Sequence, residues 1–434
     1  MIQIFKNSIF KSYKTTRKNI QMKITTWLRL AFMMFLEFFI WGAWFVTLGI
    51  FLDNNLHATG AESAAVFSTQ SWGAIIAPFI IGLIADRYFN AEKILGVLHL
   101  AGAVLMYQMF VSDSIQSFYP YVLAYMILFM PTLALVNSIS FNQMQDTEKQ
   151  FPAIRVLGTI GWIVAGLLIS LVFLWDQDAN AKSGMIKNTF LMASVASLVL
   201  GLFSFTLPKT PPKFAKGTKV KVSEILGLDA LKLLKDKYFA IFFVSSILIC
   251  IPLAFYYQYT SQFLSNIHVP KPAFKMSIGQ WFEILFMLSL PLFFKRFGFK
   301  KTILISMLAW TVRYALFAYG NAGELAFMLI IGIALHGICY DFFFVSGQIY
   351  TDQKAGEKYK SAAQGLITLA TYGIGMLIGF QIAGAVFDAY SLGSDTFNWK
   401  MIWIIPSVFA FVVFFLFAVL FKDKGVKQIE LNKE

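Results

Sequence analysis

The chain has 434 residues, of which 58% are hydrophobic and 17% aromatic, with only 14% charged. Soluble proteins carry about 25% charged residues, so this composition excludes an ordinary soluble fold and indicates a polytopic helical membrane protein. The net charge of +13 does not point to nucleic acid, because most of the bases flank apolar runs on one side, as positive-inside topology and anionic lipid require.

The chain starts with a basic stretch, residues 1–26, carrying Lys6, Lys11, Lys14, Arg17, Lys18 and Lys23. It lacks a small-residue cleavage site and reads as a cytoplasmic tail rather than a signal peptide. Runs of about 20 apolar residues cross the hydrocarbon core as helices. Twelve are predicted, near 27–52, 64–85, 93–112, 118–140, 154–175, 188–207, 239–264, 276–294, 302–319, 325–347, 362–387 and 400–421. Between spans six and seven lies the longest polar interruption, "LPKTPPKFAKGTKVKVSEILGLDALKLLKDKY", whose second part has helical apolar spacing and a possible Ser223 cap.

Bases also follow span eight (Lys295, Arg296, Lys300, Lys301) and close the chain (Lys422, Lys424, Lys427). The alternate loops are poorer in them: 53–63 has none. Both termini are therefore expected inside, which requires an even number of spans. The expected organisation is a tail (1–26), a six-helix bundle (27–207), a cytoplasmic linker with a short amphipathic helix (208–238), a second six-helix bundle (239–421) and a tail (422–434). Cys250 and Cys339 both fall inside apolar runs, and the four histidines lack metal-ligand spacing. Neither a disulfide framework nor metal chemistry is expected.

Twelve spans, a central loop and Gly82-Leu-Ile-Ala-Asp86-Arg87 in the second turn resemble the major facilitator superfamily. Several stretches, in order along nearly the whole chain, resemble the bacterial nucleoside:proton symporters within it. They are "FLEFFIWGAWFVTLG" (35–49), "FMPTLALVNSIS" (129–140), "FPAIRVLGTIGW" (151–162), "ILGLDALKLLK" (225–235), "AWTVRYALFAYG" (309–320) and "YDFFFVSG" (340–347). The resemblance implies two pseudo-symmetric halves that rock about a site at mid-membrane.

A charged group inside a span costs about 2.5–3.5 kcal/mol on insertion scales, so such groups normally face a cavity or a partner. Glu37 in span one has Trp41 and Trp44 at i+4 and i+7, a carboxylate beside flat rings that suits a polar ring compound. A buried acid satisfying a neighbouring helix is the alternative. Arg155, Thr159 and Trp162 share a face of span five and offer a donor fork, a hydroxyl and a ring; Arg155 could instead snorkel to the cytoplasmic face. In span seven, Ala254 and Tyr257 stand where the family presents amides.

Gln280 and Glu283, three apart on span eight, form a polar strip. A carboxylate in an apolar cavity is suited to proton exchange near neutrality, and the resemblance assigns the Gln and the Glu to sugar and base. Arg313 reads as structural. In span ten, His336 and Tyr340 share a face, while Asp341 is rotated by about 100°. Tyr340 then reads as a cavity aromatic, Asp341 as a coupling carboxylate or a helix partner, and His336 as a departure from the family that could titrate or donate structurally.

The expected site thus comprises Arg155, Thr159, Trp162, Tyr257, Gln280, Glu283, His336, Tyr340, Glu37 and Trp41 for substrate, with Glu283, Asp341 and Glu37 for the proton. The expected function is nucleoside import coupled to proton influx in a bacterial inner membrane, by a chain working as a monomer without cofactor. The alternatives are a sugar or oligosaccharide:proton symporter and, from another class, a membrane-embedded enzyme. The absence of a G-x-x-x-x-G-K-[ST] loop argues against ATP-driven transport.

Overall fold

In a computed structural model, residues 22–80, 88–212, 228–393 and 396–422 are described. The basic tail through residue 21, the Gly82–Arg87 signature, residues 213–227 of the linker and the chain beyond 422 lie outside the described residues. The rest is helical, with one isolated bridge between Ser391 and Phe397. Helices are what this composition dictates, since lipid supplies no partner for a backbone N–H or C=O.

The first set of helices comprises α1 (Ile24–Trp44), α2 (Leu48–Asn54), α3 (Gly60–Ile80), α4 (Ala91–Val111), α5 (Ile115–Asn142), α6 (Thr147–Leu167) and α7 (Asn188–Ser204). The second comprises α8 (Lys237–Asn266), α9 (Pro272–Tyr319), α10 (Ala326–Ala334), α11 (Ser346–Thr368), α12 (Met376–Ala389) and α13 (Trp399–Leu420). Among the described residues, ten helices are long and apolar enough to cross a membrane. One of them, α9, is 48 residues long and breaks at Gly298, where φ is 71°. Glycine takes this left-handed conformation without the Cβ clash that other residues meet, so two arms fold back from the basic turn. Gly356 (φ 64°) breaks α11 in the same way.

Within the first set, α1 packs on α6, α4 on α7, and α3 on α5; within the second, α9 packs on α13 and α10, and α8 on α12. The sets meet through α3 with α12, α6 with α9, and α2 with α8. Small residues allow the closest of these approaches. A Cβ on Gly60 would strike the Gly384 carbonyl, and one on Gly384 would strike the Gly60 carbonyl.

Two carboxylates tie the sets together where α3 and α9 begin. Asp388 at the end of α12 receives the N–H groups of Gly60 (2.6 Å) and Ala61 (2.9 Å). Asp176, in the loop before α7, receives the N–H of Ala273 (2.8 Å) and the Ser170 hydroxyl, and Ser170 Oγ in turn receives the N–H of Phe274 (2.8 Å). The first N–H groups of a helix have no intrahelical partner and carry the positive end of its dipole, so each carboxylate satisfies a helix of the opposite set. Gln258 donates to Ser63 (3.2 Å) and Gln381 to Ser68 (2.9 Å) along the same seam.

Candidate functional site

Between the two sets lies a cavity, partly open to solvent, lined by Phe38, Trp41, Phe45, Arg155, Thr159, Trp162, Tyr257, Gln280, Glu283, His336, Tyr340 and Tyr372.

The first arm of α9 carries the acid. Trp281, Leu285, Leu288 and Leu292 are exposed on its outer side, and Gln280 and Glu283 line the cavity on the inner side. Polar residues at i and i+3 amid outward leucines therefore act as one strip. Span ten lies hard against it: a Cβ on Gly337 would come within 2.7 Å of Glu283 Cα, and one on Gly279 within 3.2 Å of His336 Cβ. These glycines bring His336 and Tyr340 beside Gln280 and Glu283. Across the cavity, α6 contributes Arg155, Thr159 and Trp162, as their i, i+4, i+7 spacing predicts. The Arg155 guanidinium lies 4.1 Å over the Phe38 ring, a desolvated cation–π contact that holds it in the cavity rather than snorkelled away. Trp41 and Trp162 meet edge-on at 5.5 Å between centroids. The Tyr340 and Tyr372 hydroxyls are hydrogen-bonded to each other.

Glu37 requires a correction. It does not line the cavity; it is fully buried, with Oε2 2.8 Å from His99 Nε2 and Oε1 receiving the Thr132 hydroxyl at 2.5 Å. His99 is held in turn by Ser197. Trp44 also turns inward, against Tyr125 and Phe190. The cavity face of α1 is instead Phe38, Trp41 and Phe45, one residue round from the stripe through Glu37. Polar partners on α4 and α5 draw the carboxylate into the first set, the buried-acid alternative. Asp341 also stays out of the lining. It is 1% exposed, one position past Tyr340 at the start of a π-helical turn (Asp341–Val345), with Oδ2 unpartnered. Ala254 packs against Gly379, leaving Tyr257 as the span-seven side chain of the lining.

Phe38, Phe45 and Tyr372 were not among the expected residues. A hydroxyl-bearing ring within the apolar run 362–387 was the available signal for Tyr372. The arrangement offers flat rings for a planar heterocycle, amide and carboxylate groups for its polar edge, and a guanidinium opposite the acid. Among the described residues no group of acids, histidines and cysteines could hold a metal ion.

A family model described as Nucleoside H+ symporter matches residues 22–425. The chain is 42% identical over 402 residues to the YegT protein of Escherichia coli (strain K12), covering 91% of this chain and 93% of that one. It is 36% identical over 407 residues to the xanthosine permease of the same strain, covering 89% and 94%. A solved structure of the nucleoside transporter NupG superposes with a TM-score of 0.82 at 30% identity, over 92% of this chain and 99% of the other.

Proposed function

The chain belongs to the nucleoside H+ symporter family, and from that premise we propose that its cavity carries one nucleoside together with a proton across the bacterial inner membrane. The observation that carries this reading is the convergence of Gln280 and Glu283 on one wall with Arg155, Thr159 and Trp162 on the other. The base stacks between the rings of Trp41, Trp162 and Tyr257, while Gln280, Glu283, Thr159 and Arg155 take its polar edge and the sugar. His336 and Tyr340 complete the wall.

Glu283 is the proton carrier, with Asp341 behind it as a second acid. Protonation removes a charge that would be costly to enclose beside bound nucleoside, so the carrier closes with both, and after release the empty carrier returns with the Glu283 charge balanced by Arg155 across the cavity. The Glu37 carboxylate belongs to the framework of the first set rather than to the substrate path.

The proposed topology has twelve spans. The two arms of α9 count separately and α3 adds one more to the ten candidates. Both termini are then cytoplasmic, the bundles 27–207 and 239–421 rock about the cavity, and the Asp388 and Asp176 contacts lie at the outer end. The chain acts as a transporter rather than an enzyme, as a monomer, with the proton as its only coupling partner. Uptake into proteoliposomes under an imposed pH gradient, comparing nucleosides, nucleobases and disaccharides, tests this. Gradient-dependent nucleoside uptake is expected; uptake of a disaccharide but no nucleoside would overturn it.

A further inference from the structure

Arg313, on the second arm of α9, is fully buried. Among the described residues no carboxylate pairs with it, and its Nε and Nη1 have no hydrogen-bond partner. Its charge rests on aromatic faces instead: the guanidinium carbon lies 3.4 Å over Tyr256, 5.5 Å from the Trp310 centroid and 5.9 Å from that of Phe317. A desolvated cation without an anion is costly, and Arg313 Nη2 lies 3.3 Å from His336 Nδ1, within hydrogen-bond distance.

The direction of that bond is fixed by chemistry. A guanidinium has donors only, so His336 Nδ1 accepts and carries no proton; the imidazole is neutral and its hydrogen is on Nε2. A protonated ring would turn an N–H towards a group with no lone pair to receive it. Tyr256 stacks on the His336 ring (5.1 Å, 19°), so Arg313, Tyr256 and His336 form one layered unit that leaves the ring little freedom to flip. With Nδ1 turned to Arg313, the ring presents its Nε2 side to the cavity it lines.

We propose that Arg313 is a positioning residue: it holds His336 as a neutral imidazole whose Nε2–H is a fixed hydrogen-bond donor to an acceptor atom of the nucleoside, a carbonyl oxygen or ring nitrogen. This rests on the nucleoside-carrier reading above. It separates the polar duties of the cavity wall, with Glu283 exchanging a proton and His336, one helix away, not doing so. The other ionisable groups lining the cavity with His336 are Glu283 on the first arm of α9, Tyr257 on α8, Tyr372 beyond α11, Arg155 across the cavity and Tyr340 on its own segment, and Tyr256 stacks on its ring.

Nitrogen-15 spectra of histidine-labelled protein in detergent read the tautomer without substrate, and the signal lost in His336→Phe assigns it among four histidines. In the wild type it should report the neutral Nε2–H form throughout pH 5.5–8. In Arg313→Met the ring, still buried, should lose its fixed tautomer and show the Nδ1–H form beside the Nε2–H form, and Arg313→Lys should restore the Nε2–H form. A wild-type His336 that titrates in this range, or an Arg313→Met spectrum like wild type, overturns the proposal.

Equilibrium binding of nucleoside is the second readout. His336→Phe and Arg313→Met should each weaken it about tenfold, as expected for one lost hydrogen bond, and Arg313→Lys less than threefold. Unchanged affinity in His336→Phe overturns the donor role. If Arg313→Met fails to fold, the wild-type spectrum and His336→Phe binding still decide. A wild type that binds no nucleoside overturns the nucleoside reading itself, while the spectra continue to test the Arg313–His336 relation.

Discussion

The Asp388 carboxylate receives two successive backbone N–H groups, from Gly60 at 2.6 Å and Ala61 at 2.9 Å, although 328 and 327 residues separate them. One set of helices thus caps a helix of the other. A lost cap costs about 1–2 kcal/mol, which shifts a two-state equilibrium about five- to thirtyfold. Asp388→Ala should therefore populate the separated arrangement of this end. Spin labels on Ala61→Cys and Ala389→Cys, both exposed positions, should show a longer-distance population in double electron–electron resonance. An unchanged distance distribution would remove the cap from the gating scheme.

The opposite cap adds a pH dependence. Burial pushes the Asp176 carboxyl up from its ordinary value, against the lowering effect of its Ser170 and Ala273 hydrogen bonds. Separation of this end would return it towards water and a value near about 3.9. The closed arrangement then binds the proton more tightly than the separated one. Its Asp176 contribution is fully present below the ordinary carboxylate value and is lost as pH rises through the raised one. The separated population seen by the same labels should grow as pH rises above the ordinary carboxylate value and through the raised one, and Asp176→Asn should flatten that trend. A trend of opposite sign would contradict this assignment.

Glu37, His99 and Thr132 form a buried polar unit in the first set. Removing one member of such a unit costs about 3 kcal/mol, because its partners are left buried and unpaired. Glu37→Ala should lower the melting midpoint of purified protein markedly. Glu37→Gln, which keeps an acceptor for Thr132, should melt close to wild type and transport within threefold of it. Loss of proton coupling in a well-folded Glu37→Gln protein would return this carboxylate to the transport path.

Trp162 tests the stacking half of the site. Base–aromatic stacking contributes about 1–3 kcal/mol by alanine substitution. Trp162→Ala should therefore weaken nucleoside binding about five- to 150-fold, with Trp162→Phe recovering most of it. Equal affinity in Trp162→Ala would exclude stacking at that ring.

Much of this was legible in the sequence, for reasons that differ by element. The spans follow from composition, and Gln280 with Glu283, or Arg155 with Thr159 and Trp162, from regular helical spacing that puts them on one face. Helix α1 was harder. Its aromatics at 38, 39, 41, 44 and 45 satisfy two neighbouring faces, and only the Glu37 partners on α4 and α5, distant in sequence, choose between them. Tyr372 sits within a π-helical stretch, Leu369–Gly375, whose wider turn changes the register on which a face is counted. Arg313 looked peripheral because its partners, Tyr256 and His336, lie on two other helices. Periodicity reads one helix at a time; contacts between helices are fixed by packing.

Glu283 is where the substrate and proton roles meet, and Glu283→Gln in proteoliposomes separates them. Labelled nucleoside uptake should be followed with and without an inward proton gradient, across pH 5.5–8. The expected result is that the variant loses gradient-driven accumulation and the pH dependence of uptake, while retaining downhill exchange to the extent that it still binds nucleoside. Uptake with unchanged rate and unchanged pH dependence would contradict the assignment of the coupled proton to Glu283.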